Sequence, residues 1–255
     1  MVRDVWEKGE AYEAYVGRWS RRVAGPFVAW LGLPPGGRWL DVGCGTGALS
    51  AAAREAGAGL VVGADPSAGF LRAGSGPRIA ADARALPLAG GTFDAVISGL
   101  ALNFVPDPGR AAAEFARVAT PGGTVAAYVW DYADGMRMMR FFWDAAAEAD
   151  PGGAADEAAR FPLCRPEPLA ALWRAAGLAH VTVRPIEIPT VFPDFADYWD
   201  PFLGGQGAAP AYLMSLPPTR RDAIRHLLKN RLPAAPDGSI HLTARAWAVR
   251  GTTTG

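Results

Sequence analysis

Residues 39–50 read WLDVGCGTGALS, a short apolar run ending in an acid and followed at once by glycines at every second position, Gly43, Gly45 and Gly47. Such a stretch restricts the fold more than any other part of the chain. Glycine admits positive φ and lets another group approach the backbone with no Cβ in the way. A strand that turns through glycines into a helix also presents free N–H groups at the helix start. One glycine there would suit a tight turn that packs helix on strand. Three at alternate positions point to a cradle for a nucleotide-like group at the carboxyl edge of an open α/β sheet, where such sheets bind ligands.

The rest of the chain supports that sheet. Apolar runs alternate with helix patterns: strand 38–42, helix 47–56, strand 60–64, helix 66–73, strand 77–81, strand 93–98, helix 109–118 and strand 123–130. Alternation of this kind means crossover connections and a mostly parallel sheet covered on both faces. From Asp131 the rhythm breaks into a Met- and aromatic-rich helix, then resumes with a helix at 166–178 and a strand at 179–188. A second interruption at 189–239 is rich in Pro and Gly and carries an amphipathic helix at 219–232, before an alternating last strand at 240–249. At the front, residues 11–31 space Tyr12, Tyr15, Val16, Trp19, Val23, Phe27 and Leu31 by three or four, a helix pattern interrupted near Gly25-Pro26.

Three acids narrow the ligand. The run Gly43-x-Gly45-x-x-Ala48 also satisfies the looser dinucleotide fingerprint. However, Asp41 sits just before the turn, where a carboxylate repels a pyrophosphate and suits an ammonium or a bound water. Asp65, 18 residues beyond Gly47, ends the next strand at the spacing of a carboxylate that accepts both ribose hydroxyls. Asp82 ends the strand after that, placed for the exocyclic amine of adenine. Together they suit a cationic nucleoside without phosphate.

On these residues the chain resembles the class I S-adenosylmethionine-dependent methyltransferases of the small-molecule type, similar to the ubiquinone and menaquinone C-methyltransferases. LDVGCGTG is similar to the family's first motif, GADPS to its ribose-binding acid, ADARALPL to its adenine-side loop, and FDAVISGLALNFVPDP to its fourth motif. RVATPGGTVAAYVW resembles the helix, turn and fifth strand that follow. The resemblance implies a Rossmann-like seven-stranded sheet in the order 3-2-1-4-5-7-6, the last strand antiparallel, in a single domain over 1–255. Residues 1–37 would form a helical lid, and 131–165 and 189–239 acceptor-side insertions after strand 5 and between strands 6 and 7. The implied cofactor is S-adenosyl-L-methionine. Gly43, Cys44, Gly45 and Gly47 would line its methionine end with Asp41, Asp65 would hold its ribose, and Asp82 with Ala83 its adenine. Pro66 and Ser67 would lie under the adenosine, and Leu100 and Asn103 would face the methionyl group. Tyr15, Trp19 and Ser20 would fold over the cofactor, unless their helix only covers a sheet edge.

Methyl transfer from a sulfonium is an in-line displacement, so alignment and exclusion of water matter more than a dedicated base. The fourth motif carries Asn103 where many relatives have His, and an amide orients an acceptor but takes no proton at neutral pH. Asp131 and Tyr132 follow the fifth strand; Asp131 is a candidate base or a plain strand-end cap. His180, His226 and His241 read as surface or packing residues. Met138, Met139, Phe142 and Trp143 at helical spacing form either core or the wall of an acceptor pocket. Trp130, Phe192, Trp199 and Phe202 are the further candidates for that wall.

Composition limits the partners. The formal charge is +0, which gives no basic stripe of the kind that tracks nucleic acid. The basic face of 219–232 reads as solvated surface, and LNFVP does not match the Asn/Asp-Pro-Pro-aromatic signature of amino methylation of bases. A small-molecule acceptor is expected, with neither nucleic acid nor membrane as partner and with oligomeric state open. The two cysteines, Cys44 and Cys164, suggest no disulfide or zinc framework, so no metal is expected. No apolar stretch reaches the roughly 18 residues of a membrane span, and the start of the chain lacks a signal core, which fits the cytoplasm. Other readings stay open: methylation of protein or RNA, a non-catalytic S-adenosylmethionine binder, and a nicotinamide oxidoreductase, for which no catalytic pair is visible.

Overall fold

The computed structural model describes residues 13–152, 156–204 and 207–254. These fall into two compact units. One, the sheet unit, holds Ser20–Trp130, Leu163–Ile186 and Ala246–Gly255; the other, the helical unit, holds residues up to Trp19, Asp131–Pro162 and Glu187–Arg245. The helical unit thus gathers the two stretches that interrupt the strand–helix rhythm. Ala11 and Tyr12, where the N-terminal pattern begins, lie outside the described residues.

The sheet has seven strands: β1 Arg38–Val42, β2 Leu60–Asp65, β3 Arg78–Ala80, β4 Phe93–Gly99, β5 Ala119–Trp130, β6 Ala179–Phe192 and β7 Ile240–Thr252. Their order is β3-β2-β1-β4-β5-β7-β6, with β7 antiparallel to β5 and the first five parallel. This is the order that the sequence resemblance implies. Leu40 of β1, Val96 of β4, and Val125 and Val129 of β5 share one buried core with Phe115, Leu169 and Trp173 from the covering helices Pro108–Val118 and Pro166–Ala175. Trp173 adds a buried hydrogen bond from its indole Nε1 to the Val125 carbonyl, 2.9 Å away.

Three elements depart most from the sequence reading, each for a physical reason. The helix Arg18–Leu31 runs through Pro26 without a break. A proline inside a helix costs about 3 kcal/mol; Val23, Phe27 and Leu31, all buried on one face, outweigh it. Strand β5 starts at Ala119 because Ala119 pairs with Phe93; the register then shifts, and Ala95 pairs with Thr124. The TPGG segment between is extruded, with Gly122 at φ 73°. Strand β6 continues to Phe192 although it contains Pro185 and Pro189. It lies at the sheet edge, where a missing N–H breaks no ladder.

The helical unit has its own aromatic core. Phe142 stacks on Phe202 at 4.6 Å between centroids, Tyr15 meets Phe202 edge-on at 5.2 Å, and Trp19 meets Phe192 at 5.3 Å. Three buried polar tips are paired. Tyr198 donates to the Met138 carbonyl at 2.7 Å, Tyr15 donates to the Met139 thioether, and the Trp143 indole donates to the buried carboxylate of Glu157.

Candidate functional site

The glycine-rich loop joins β1 to the helix Ala48–Glu55, and its three glycines meet three different demands. All have positive φ: 73° at Gly43, 51° at Gly45 and 99° at Gly47. A Cβ on Gly43 would come within 2.3 Å of the Ala101 Cβ, so this glycine lets the turn after β4 approach. A Cβ on Gly47 would lie 2.5 Å from Nη2 of Arg78. A Cβ on Gly45 would meet nothing within 4 Å, so of the three only Gly45 has its side-chain direction open.

Asp65 fixes that opening. It is buried at the end of β2, and its two oxygens accept from different backbone N–H groups, Gly45 at 2.9 Å and Ser67 at 2.8 Å. A carboxylate has about four acceptor positions, so lone pairs remain on both oxygens for two hydroxyls. Ser67 is the N-cap of the helix Ala68–Ala73, its hydroxyl accepting from Phe70 N. Pro66 is exposed beside it.

Asp41 is fully buried at the same edge. Ser50 donates its hydroxyl to Oδ2 at 2.6 Å, while Oδ1 is buried with no hydrogen-bond partner. Burial lifts the carboxyl to about 6, against the opposing pull of the Ser50 hydrogen bond. Burial also pushes the Cys44 thiol up to about 12, helped by the charges of Asp41 and Asp65, so Cys44 is no nucleophile at neutral pH. Asp82, by contrast, is exposed just past β3 and bound by Arg84, whose Nη2 lies 2.6 Å from Oδ2. That side-chain bond holds the Asp82 carboxyl down at about 2. An adenine amine at Asp82 would share the carboxylate with Arg84; Ala83 is half-buried next to it.

At the end of β4, Leu100 adopts φ 60°, a left-handed conformation that a branched side chain takes only under constraint. Gly99 just before it faces the Tyr128 hydroxyl, 2.6 Å from where a Cβ would stand, and Leu100 N donates to the Tyr128 carbonyl at 2.8 Å. Asn103 follows in the turn Leu102–Phe104, with its Oδ1 buried and unpartnered. Strained backbone beside an unsatisfied acceptor marks a ligand site. Strands β2, β1 and β4 are adjacent, so Asp65, Asp41 and Asn103 line one stretch of sheet edge. All three supply acceptors. The arrangement fits a ligand bearing donors and positive charge.

The remaining candidates divide between the units. Ser20 and Trp130 are buried in the sheet unit. Tyr15, Trp19, Met139, Phe142, Trp143, Phe192, Trp199 and Phe202 belong to the helical unit, and all are buried there, most of them ring against ring. Asp131 opens the helical unit as a turn-former. Its Oδ1 accepts from Asp134 N at 3.0 Å, and Oδ2 faces Arg245 Nη1 at 3.4 Å. With both oxygens engaged, Asp131→Asn is expected to lower turnover by less than the roughly 100-fold of general-base removal. Urea titration should show a stability loss of about 1 kcal/mol from the broken ion pair. Turnover falling further with the fold intact would make Asp131 the base. The three histidines are exposed.

Sequence reasoning missed Arg78 and Ser50. Arg78 reaches the glycine loop from β3 through contacts far apart in sequence, and its one local trace is Gly74, where a Cβ would lie 1.6 Å from Arg78 Nη1. Ser50 lies one helical turn into the segment that Gly47 starts, and its spacing from Asp41 of nine residues has no meaning until strand and helix are packed.

Known proteins are similar to this chain over the same stretch and in fold. Residues 40–127, which hold the glycine loop, Asp65, Asp82 and Asn103, match the family model of a methyltransferase domain. A demethylmenaquinone methyltransferase of Renibacterium salmoninarum is 44% identical over 111 residues, covering 42% of this chain and 45% of that protein. The chain thus spans less than half the length of the curated relatives it matches. Among solved structures, Haemonchus contortus phosphoethanolamine N-methyltransferase 2, in complex with phosphomonomethylethanolamine and S-adenosylhomocysteine, aligns with TM-score 0.57 and 16% identity, over 96% of this chain and 57% of that one. The [4+2]-cyclase SpnF aligns with TM-score 0.56 and 18% identity, over 98% of this chain and 87% of that one. Likeness at that identity concerns the fold.

Proposed function

We propose that the chain transfers a methyl group from S-adenosylmethionine to a small, flat, apolar organic acceptor, a reading supported by the match of residues 40–127, which build this cradle, to a methyltransferase domain. An aromatic ring of the demethylmenaquinol kind is the first class to test, on the strength of the demethylmenaquinone methyltransferases among the similar proteins. The observation that carries the reading is the run of acceptors along adjacent strand ends: Asp65 with lone pairs to give, and the unsatisfied oxygens of Asp41 and Asn103.

When bound, the cofactor supplies an already activated methyl carbon. Asp65 accepts from the ribose hydroxyls while it holds Gly45 and Ser67 in place. The Asp41 charge sets a negative field beside the loop, which favours a cationic ligand over a pyrophosphate. Asn103 orients the acceptor through Oδ1 and takes no proton. Acceptor choice resides in the residues outside the matched stretch.

Isotopically labelled S-adenosylmethionine incubated with a demethylmenaquinol analogue tests this. Label in the recovered ring supports the proposal; binding of the cofactor with no transfer to any aromatic, apolar or macromolecular acceptor overturns it. The latter result would favour a second reading, cofactor binding without methyl transfer.

A further inference from the structure

We propose that Arg78 is the positioning residue that holds the glycine-rich loop in its binding shape, a role that rests on the cofactor reading above. Its guanidinium ties three segments together. From β3, Nη1 donates to the Gly45 carbonyl at 3.1 Å and to the Phe70 carbonyl at 3.5 Å, Nη2 to the Thr46 carbonyl at 3.3 Å, and Nε to the Ser75 carbonyl at 3.1 Å. The loop carbonyls of Gly45 and Thr46 are thereby pinned, while Asp65 holds Gly45 through its N–H. One residue, Gly45, is gripped from both ends: by a carboxylate at N–H and by a guanidinium at C=O.

At two positions a side chain would collide with this guanidinium and force it to move. A Cβ on Gly47 would stand 2.5 Å from Nη2, and one on Gly74 would overlap the whole guanidinium. The planar fork of arginine suits the task, since it presents five donors in fixed directions where an ammonium presents three around a point. With four of its five donors committed to carbonyls, Arg78 has little left to offer a phosphate, which accords with a phosphate-free nucleoside. Its charge also acts on the acids of the site. Asp41 is faced by Ser50 from the helix after the loop, by Asp65 from β2, by Cys44 within the loop and by Arg78 from β3; of these, Arg78 supplies the positive charge that favours the carboxylate form.

A loop without its clamp populates shapes that do not bind, and apparent affinity falls by the fraction that remains competent. Arg78→Met is therefore expected to raise the dissociation constant of S-adenosylhomocysteine by at least about tenfold, the equivalent of one charge-assisted bond. The cofactor KM should rise in parallel while kcat at saturating cofactor stays near wild type. The acid limb of the affinity–pH profile should move to higher pH, because Asp41 loses a nearby cation. Arg78→Lys should restore the limb and part of the affinity, a pattern that general destabilisation does not produce. Wild-type affinity and an unmoved limb in folded Arg78→Met overturn the positioning role. Should Arg78→Met not fold, Gly74→Ala displaces the guanidinium while keeping it: a tenfold loss supports the clamp, and unchanged affinity overturns it. A wild-type protein that binds neither S-adenosylmethionine nor its demethylated product would instead overturn the cofactor reading itself.

Discussion

Asp65→Ala is expected to weaken S-adenosylmethionine binding by at least about 100-fold, since each charge-assisted bond from a ribose hydroxyl is worth about 1.5 to 3 kcal/mol and two are lost. The structure adds a second source of loss. Asp65 also accepts from Gly45 N and Ser67 N, so alanine leaves both N–H groups without their acceptor and frees the loop. Asp65→Asn keeps one acceptor oxygen and no charge, and should fall between. A cofactor analogue lacking the ribose 2′-hydroxyl separates the two contributions. Wild type should bind the analogue at least about tenfold more weakly than the parent, and Asp65→Ala should bind the two alike, as a double-mutant cycle requires of interacting groups. Equal discrimination by both proteins would confine Asp65 to shaping the loop.

The second large effect concerns stability and runs in the opposite direction to function. Asp41 has its folded-state carboxyl raised to about 6 from 3.8. Between those values the folded protein holds a proton that the unfolded chain has released, so stability falls as pH rises through the window. Above about pH 6 the ionised, buried carboxylate destabilises the fold by about 3 kcal/mol relative to acid conditions. Asp41→Asn removes this dependence. Urea titrations at pH 4 and pH 7 should show the variant gaining about 2 kcal/mol on the wild type between the two, since at pH 4 the unfolded carboxyl is already largely ionised, while its affinity for a cationic cofactor drops at pH 7. A difference between the two proteins that does not change with pH would mean that the Asp41 carboxyl titrates normally. A carboxylate kept at such a cost marks a place where binding, and not folding, has set the residue.

How much of this was legible beforehand depended on how local each cause is. Strand β1 and the loop behind it were readable because an apolar run, an acid and three spaced glycines lie within twelve residues of one another. The sheet order came from the family resemblance, not from periodicity. Prolines misled where tertiary context overrode them: Pro26 lies in a helix that a buried face holds together, and Pro189, just past the expected end of the strand, lies inside an edge strand, where proline is tolerated. The role of Gly47 was visible as a need for glycine but not as a need to admit Arg78, because their contact joins β1's loop to β3. Asp82 stands near its expected place, yet Arg84, two residues on, binds it. In the helical unit, aromatic spacing showed that rings would be buried; which rings stack, such as Phe142 on Phe202 from 60 residues further on, is decided by packing alone.

Calorimetric titration of the purified wild-type protein with S-adenosylmethionine, S-adenosylhomocysteine and NAD tests the central claim, that the acceptor-lined edge of β2, β1 and β4 holds a cationic nucleoside without phosphate. The account predicts saturable one-site binding of the first two, lost in Asp65→Ala, and no binding of NAD. Binding of NAD with neither adenosyl compound bound would contradict it.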